Sequence, residues 1–202
     1  MKLMAIRYFF IACFCIILGC GGSKIERTVL DDNIFYSSNR PKIRIKINPD
    51  FRFEEEKDER GLASNELSGE RSSNVKINNY FFEGRISGKP RAVSITIQEL
   101  TTPGWFFQPK IFDAKNELDS GKIKIQGKTY RYCIFTVARP NNDLLVRAIG
   151  RISGTDKNCM IKIVYLEQVT GDWGKIDLLT ADQQRQLNEF IEDSKKDIQI
   201  LE

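Results

Sequence analysis

Residues 159–169 read CMIKIVYLEQV, and this stretch decides the fold. Ile161, Ile163 and Tyr165 fall on one side of an extended chain and Lys162 on the other. That period of two marks a strand with one face in a core. Two runs of similar character precede it, over residues 128–138 and 144–153. The connections Arg139-Pro140-Asn141-Asn142-Asp143 and Gly154-Thr155-Asp156-Lys157-Asn158 are short and rich in turn formers. Consecutive strands joined in this way predict an antiparallel meander.

Working outward, residues 75–85 and 92–100 carry strand character, with Val93, Ile95 and Ile97 alternating with Ser94, Thr96 and Gln98. Ile86-Ser87-Gly88-Lys89-Pro90 between them is turn chemistry. Ile43, Ile45 and Ile47 alternate with Arg44 and Lys46 until Asn48-Pro49-Asp50 stops the run. The block at 54–74 differs in kind: Glu54-Glu55-Glu56-Lys57-Asp58-Glu59-Arg60 leads into Gly, Ser and Asn. Leu62 and Leu67 are its only large apolar residues, so it reads as a mobile acidic and polar loop. Towards the C-terminus, Thr180 followed by Gln183 forms a capping box, and Leu187, Phe190, Ile191 and Ser194 share one helical face. Lys195 and Lys196 complement the dipole at the far end. The expected fold is α+β: a mainly antiparallel β-sheet, meander or sandwich, covered by a C-terminal amphipathic helix, in one domain over 41–202.

Composition excludes several chemistries. The chain of 202 residues contains no histidine. Ser-His-Asp and Cys-His nucleophilic sites, HExxH zinc centres and CxxCH haem attachment all need an imidazole. Carboxylate chemistry, lysine chemistry and hard-cation binding by oxygen ligands survive. No two of the 27 carboxylates stand at a spacing that means acid and base. Asp177 and Asp182 flank the helix start, where the dipole alone favours them. Gly150-Arg151-Ile152-Ser153-Gly154 lacks the context and lysine of a phosphate loop, and Ser153 has no base partner. No catalytic residue, metal site or cofactor is expected, and no basic tract is dense enough to point to nucleic acid.

Two features remain as candidate sites in the domain. Trp105-Phe106-Phe107, presented by Pro103-Gly104, is the densest aromatic run; it either packs in the core or offers a contact surface to a protein, lipid or glycan. Trp173, inside Gly171-Asp172-Trp173-Gly174, has the same two readings. Cys133 and Cys159 are available to pair. In the expected meander, however, Cys133 lies opposite about residue 149 and Cys159 opposite Ser153. That puts them two strands apart and beyond the roughly 7 Å reach of a disulfide, so two separate thiols are expected.

The N-terminus carries an address. Lys2 and Arg7 precede an apolar run over residues 8–18, and Ile17-Leu18-Gly19-Cys20 ends it. The run with its glycines, 8–22, has 15 residues against the roughly 20 of a spanning helix. A basic start, a short apolar middle and a small residue at the cut make a secretory signal. With the cysteine it resembles the bacterial lipoprotein signal. That resemblance implies removal of residues 1–19 and acylation of Cys20, which tethers the protein to membrane lipid. Gly21 in place of Asp implies the outer membrane under the enteric sorting rule. Loss of Lys2 and Arg7 leaves 29 basic against 27 acidic residues, a net charge of +2. Residues 20–40 read as the lipidated N-terminus and tether, although Ile34-Phe35-Tyr36 could form a first strand. The element order over residues 75–198 is somewhat similar to the PsbP/Mog1 group of α+β sandwich domains, which implies a fold and no functional residues. The function expected is a non-enzymatic envelope domain for binding, assembly or envelope maintenance, with an unknown envelope protein as partner. The alternatives are a carrier of lipid or another hydrophobic ligand, and a small enzyme dependent on carboxylates or a cation.

Overall fold

Strand periodicity governs most of the chain. The structure, a computed structural model, describes residues 25–64, 72–108, 111–112, 114–140, 142–171, 173 and 179–201. In chain order these form β1 (Arg27–Leu30), β2 (Ile34–Ser37), β3 (Ile43–Ile47), β4 (Phe51–Ser64), β5 (Ser72–Ile86), β6 (Lys89–Leu100) and β7 (Glu117–Ile125). β8 (Lys128–Val137), β9 (Asp143–Ser153), β10 (Cys159–Val169), helix α1 (Ala181–Asp197) and β11 (Ile198–Leu201) follow. Two sheets result, a smaller one ordered β1-β2-β3-β11 and a larger one ordered β4-β5-β6-β10-β9-β8-β7. Neighbouring strands run antiparallel throughout. The fold is α+β and mainly β, and β8-β9-β10 is the meander that the pattern at 128–169 predicts.

One face of the larger sheet makes the core. Phe82, Val93, Ile95, Ile97, Ile161, Ile163 and Tyr165 point inward and are almost wholly buried. The smaller sheet covers the β4–β6 half of that face, where Phe35 meets Tyr80 with ring centroids 4.7 Å apart. Helix α1 covers the β8–β10 half, where Phe190 meets Tyr165 at 5.3 Å. The helix starts where its capping box places it, with the Thr180 hydroxyl accepting from the Gln183 N–H. Leu187, Phe190 and Ser194 face inward as expected, and Ile191 is half-buried.

Two expectations need correction. The stretch read as tether instead joins the domain from Ile25 onward: β1 and β2 pair, and Phe35 is fully buried. Most of the stretch read as a mobile loop at 54–74 is sheet. Residues 54–64 belong to β4 and 72–74 to β5, paired as far as Ser64 with Ser72. Here β4 is an edge strand, so its charged residues stay exposed, and those level with Tyr80 and Asn78 bond to the polar groups of β5. Tyr80 Oη donates to Glu56 Oε1 at 3.0 Å, and Asn78 Nδ2 donates to Asp58 Oδ1. The C-terminal helix is present as expected, and β11 follows it, pairing with β3 and burying Ile198 and Ile200. The signal segment, Cys20 and residues 65–71 lie outside the described residues.

The outer face of the larger sheet is crossed by the connection from β6 to β7. Ile111 Cγ2 lies 2.7 Å from where a Cβ on residue 150 would stand, and the Ile161 carbonyl oxygen 3.0 Å. Only glycine admits that crossing. Among the described residues, no helix is long and apolar enough to cross a membrane.

Candidate functional site

Three carboxylates converge at one end of the sandwich, and a single guanidinium takes all of them. Arg91 of β6 donates from Nε to Glu167 Oε2 at 2.8 Å, from Nη1 to Asp197 Oδ2 at 3.2 Å and from Nη2 to Asp193 Oδ2 at 2.6 Å. Lys89 adds a bond to Glu167 Oε1 at 2.8 Å. Tyr165 Oη donates to Asp197 Oδ2 at 2.9 Å, and Asn48 Nδ2 to Asp197 Oδ1 at 2.8 Å. Burial, and then the Asp197 carboxylate, hold the Tyr165 phenol protonated far above its ordinary range. The cluster ties β3, β6 and β10 to the end of α1.

Paired carboxylates work as acid and base when their environments push their proton affinities apart. Here the charges are already paired and the lone pairs already occupied, with the Glu167 side chain only 2% exposed. The arrangement is a clasp that fastens the helix to the sheet. No sequence spacing announces it, because Asn48, Arg91, Glu167 and Asp197 meet only through strand register.

A second buried arginine lies at the opposite end of the strands. Arg27 of β1 pairs with Glu99 of β6, and its Nη1 donates to Asn78 Oδ1 at 2.6 Å. Its Nε finds no acceptor among the described residues. This clasp joins the two sheets.

Cys159 sits beside that second clasp, its thiol donating to the Arg40 carbonyl at 3.0 Å. Burial first, and the Glu99 carboxylate second, push this thiol up to about 11 despite opposing pulls from Arg27 and Arg40. Cys133 is likewise raised to about 11, by burial and then by Glu117. Both thiols are free, buried and protonated at neutral pH, the inert condition of cysteine. Cys159 stands opposite Ser153 as expected, and Cys133 stands opposite Ala148, within one residue of the expected position. Five positions separate Ala148 and Ser153 on β9, an odd number, so the two cysteines occupy opposite faces of the sheet.

The aromatic candidates divide. Trp173 is 1% exposed: its backbone N–H donates to Asp143 Oδ2 at 2.7 Å and its indole N–H to the Thr170 carbonyl at 3.3 Å. Its carbonyl accepts from the Thr136 hydroxyl at 2.9 Å. Trp173 is therefore core, and the contact-surface reading of it is withdrawn. In the other run, Trp105 and Phe107 are half-buried while Phe106 is 56% exposed. Gly104, at a φ of +79°, makes the turn that presents them.

An open cleft of about 670 Å³ lies at the Arg91 end of the outer face. Ala92, Leu144 and Leu166 share its lining with Glu83, Arg139 and Gln168. Among the described residues, no group of three or more Cys, Asp or Glu is placed to hold a metal ion. Comparison of the chain with known protein families, with curated proteins and with solved structures finds no match.

Proposed function

We propose that this protein is a lipid-anchored envelope lipoprotein whose β-sandwich acts in binding, assembly or envelope maintenance rather than in catalysis. The observation that carries the reading is Ile17-Leu18-Gly19-Cys20 behind a short apolar run, five residues ahead of the first described residue of the domain. Acylated Cys20 anchors it to membrane lipid, and Gly21 directs it to the outer membrane. The interior supports a non-catalytic role: the three convergent carboxylates are paired with Arg91, Lys89 and Lys196, and both thiols are held protonated. An envelope protein is the partner expected for such a domain.

Metabolic labelling with palmitate tests the anchor. Label is expected in the wild-type protein and lost in Cys20→Ala; equal labelling of both would overturn the reading. Affinity capture from solubilised membranes then identifies the partner. The cleft at Ala92, Leu144 and Leu166 favours a second reading, a carrier of a hydrophobic ligand. Saturable binding of a fluorescent fatty acid, abolished by Leu166→Arg, would establish that alternative.

A further inference from the structure

Leu30, Leu62 and Phe106 are the large apolar side chains exposed among the described residues. Two of them stand at the same end of the sandwich. The Leu100 N–H donates to the Asn158 carbonyl at 2.9 Å, the Thr101 N–H to the Asn74 carbonyl at 3.0 Å and the Phe107 N–H to the Lys157 carbonyl at 3.0 Å. These bonds fix the Trp105-Phe106-Phe107 loop against the β9–β10 turn and the β4–β5 hairpin. Leu62 stands opposite Asn74 in that hairpin. This is also the end from which the N-terminal segment leaves. Arg27 reaches into it to pair with Glu99, just before the loop begins, and Glu26 is bonded in both directions to Ser38 at 2.9 Å.

Chain length then sets a geometric limit. Six Cα-to-Cα steps lead from Cys20 to Glu26, about 20 Å at full extension. Had the tether run to residue 40, the leash would reach roughly 65 Å and impose no orientation. With β1 folded into the sheet, an acylated Cys20 keeps the aromatic end at the bilayer wherever the far end swings.

We infer that the Trp105-Phe106-Phe107 loop seats in the interface of the membrane that carries Cys20, with Leu62 as a second contact. The inference rests on the lipoprotein reading above. The amphipathic indole of Trp105 favours the headgroup level and exposed Phe106 adds apolar contact, and a contact too weak to bind alone suffices once the anchor supplies the local concentration. The strands then stand up from the bilayer, and the Arg91 end with its open cleft faces away, available to a partner.

The test uses the full protein purified with its lipid and reconstituted in phosphatidylethanolamine–phosphatidylglycerol vesicles with brominated acyl chains. The chain has only two tryptophans, Trp105 in the loop and Trp173 in the core. Bromolipid is expected to quench emission while aqueous iodide does not, and Trp105→Phe is expected to abolish the lipid quenching. Phe106→Glu, at an exposed position, is expected to open Trp105 to iodide. Acylated protein whose Trp105 is quenched by iodide and untouched by bromolipid overturns the inference and makes the loop a protein-facing surface. Lipid quenching that persists in Trp105→Phe overturns it too, by placing Trp173 at the lipid. Mass spectrometry of the N-terminal peptide separates these outcomes from failure of the anchor: an unmodified Cys20 removes the lipoprotein reading and this inference together.

Discussion

The two ends of the sandwich are each closed by a buried arginine, yet the two clasps are not equivalent. Arg91 uses all three guanidinium nitrogens on three carboxylates and fastens α1 to the larger sheet. Arg27 leaves Nε without an acceptor among the described residues and holds one sheet to the other through Glu99 and Asn78. The difference lies in what each arginine protects. Behind Arg91 stand Glu167 and Asp197, with side chains 2% and 4% exposed, whereas Glu99 at 14% retains a path to water. An uncompensated buried charge is among the costliest defects a fold can carry, and a carboxylate that reaches solvent is far cheaper. The Arg91 clasp is therefore the costlier one to break, and the Arg27 clasp, at the end that carries the aromatic loop, the cheaper.

This asymmetry can be broken by substitution, starting where the effect is largest. Arg91→Met is expected to cost about 3–5 kcal/mol in urea denaturation, because it strands buried carboxylates. Arg27→Met is expected to cost less, about 1–3 kcal/mol, since Glu99 can rehydrate and an unsatisfied donor disappears with the side chain. Equal losses in the two variants would erase the distinction between the ends.

Alkali should sharpen the comparison. Cys159 belongs to the Arg27 end and is raised to about 11, so the folded state retains a proton that the unfolded chain releases near pH 8.5. Below that pH the thiol is protonated in both states and contributes nothing. As pH climbs from there towards 11, stability falls by up to about 1.4 kcal/mol per pH unit for each such thiol. Cys133 adds a slope of the same sign. Denaturation midpoints measured across that window should flatten in part for Cys159→Ala; an unchanged slope would remove Cys159 from the account. The smallest effect is expected at the other end of the clasped helix, where Thr180→Ala removes the cap at a cost of about 1 kcal/mol. A loss approaching that of Arg91→Met would mean that the cap, rather than the clasp, holds α1 in place.

What could be read in advance followed burial on one face. β10 and β6 are central strands whose mid-strand inward residues, Ile161, Ile163 and Tyr165 and Val93, Ile95 and Ile97, are apolar, so a period of two is plain in the chain. The helix was legible for a different reason, since its capping box and apolar face are local to its own residues. β4 was not legible, because an edge strand whose Glu56 and Asp58 stay exposed while bonding to Tyr80 and Asn78 has no apolar alternation to show. β11 is four residues long, and its burial depends on β3, some 150 positions earlier in the chain. Among the candidate sites, the aromatic run was visible as composition, but nothing local distinguished Trp105 at the surface from Trp173 in the core. The Arg91 clasp had no sequence signal at all.

The sequence by itself determined the strand-rich class, the capped helix and the cysteine that resembles a lipidation site, since each depends on neighbours within a few residues. Tertiary structure decided which strands became edges, which aromatic faced water and which sheet face each cysteine took. Those outcomes depend on the register between distant strands, where a shift of one residue turns every side chain to the opposite face.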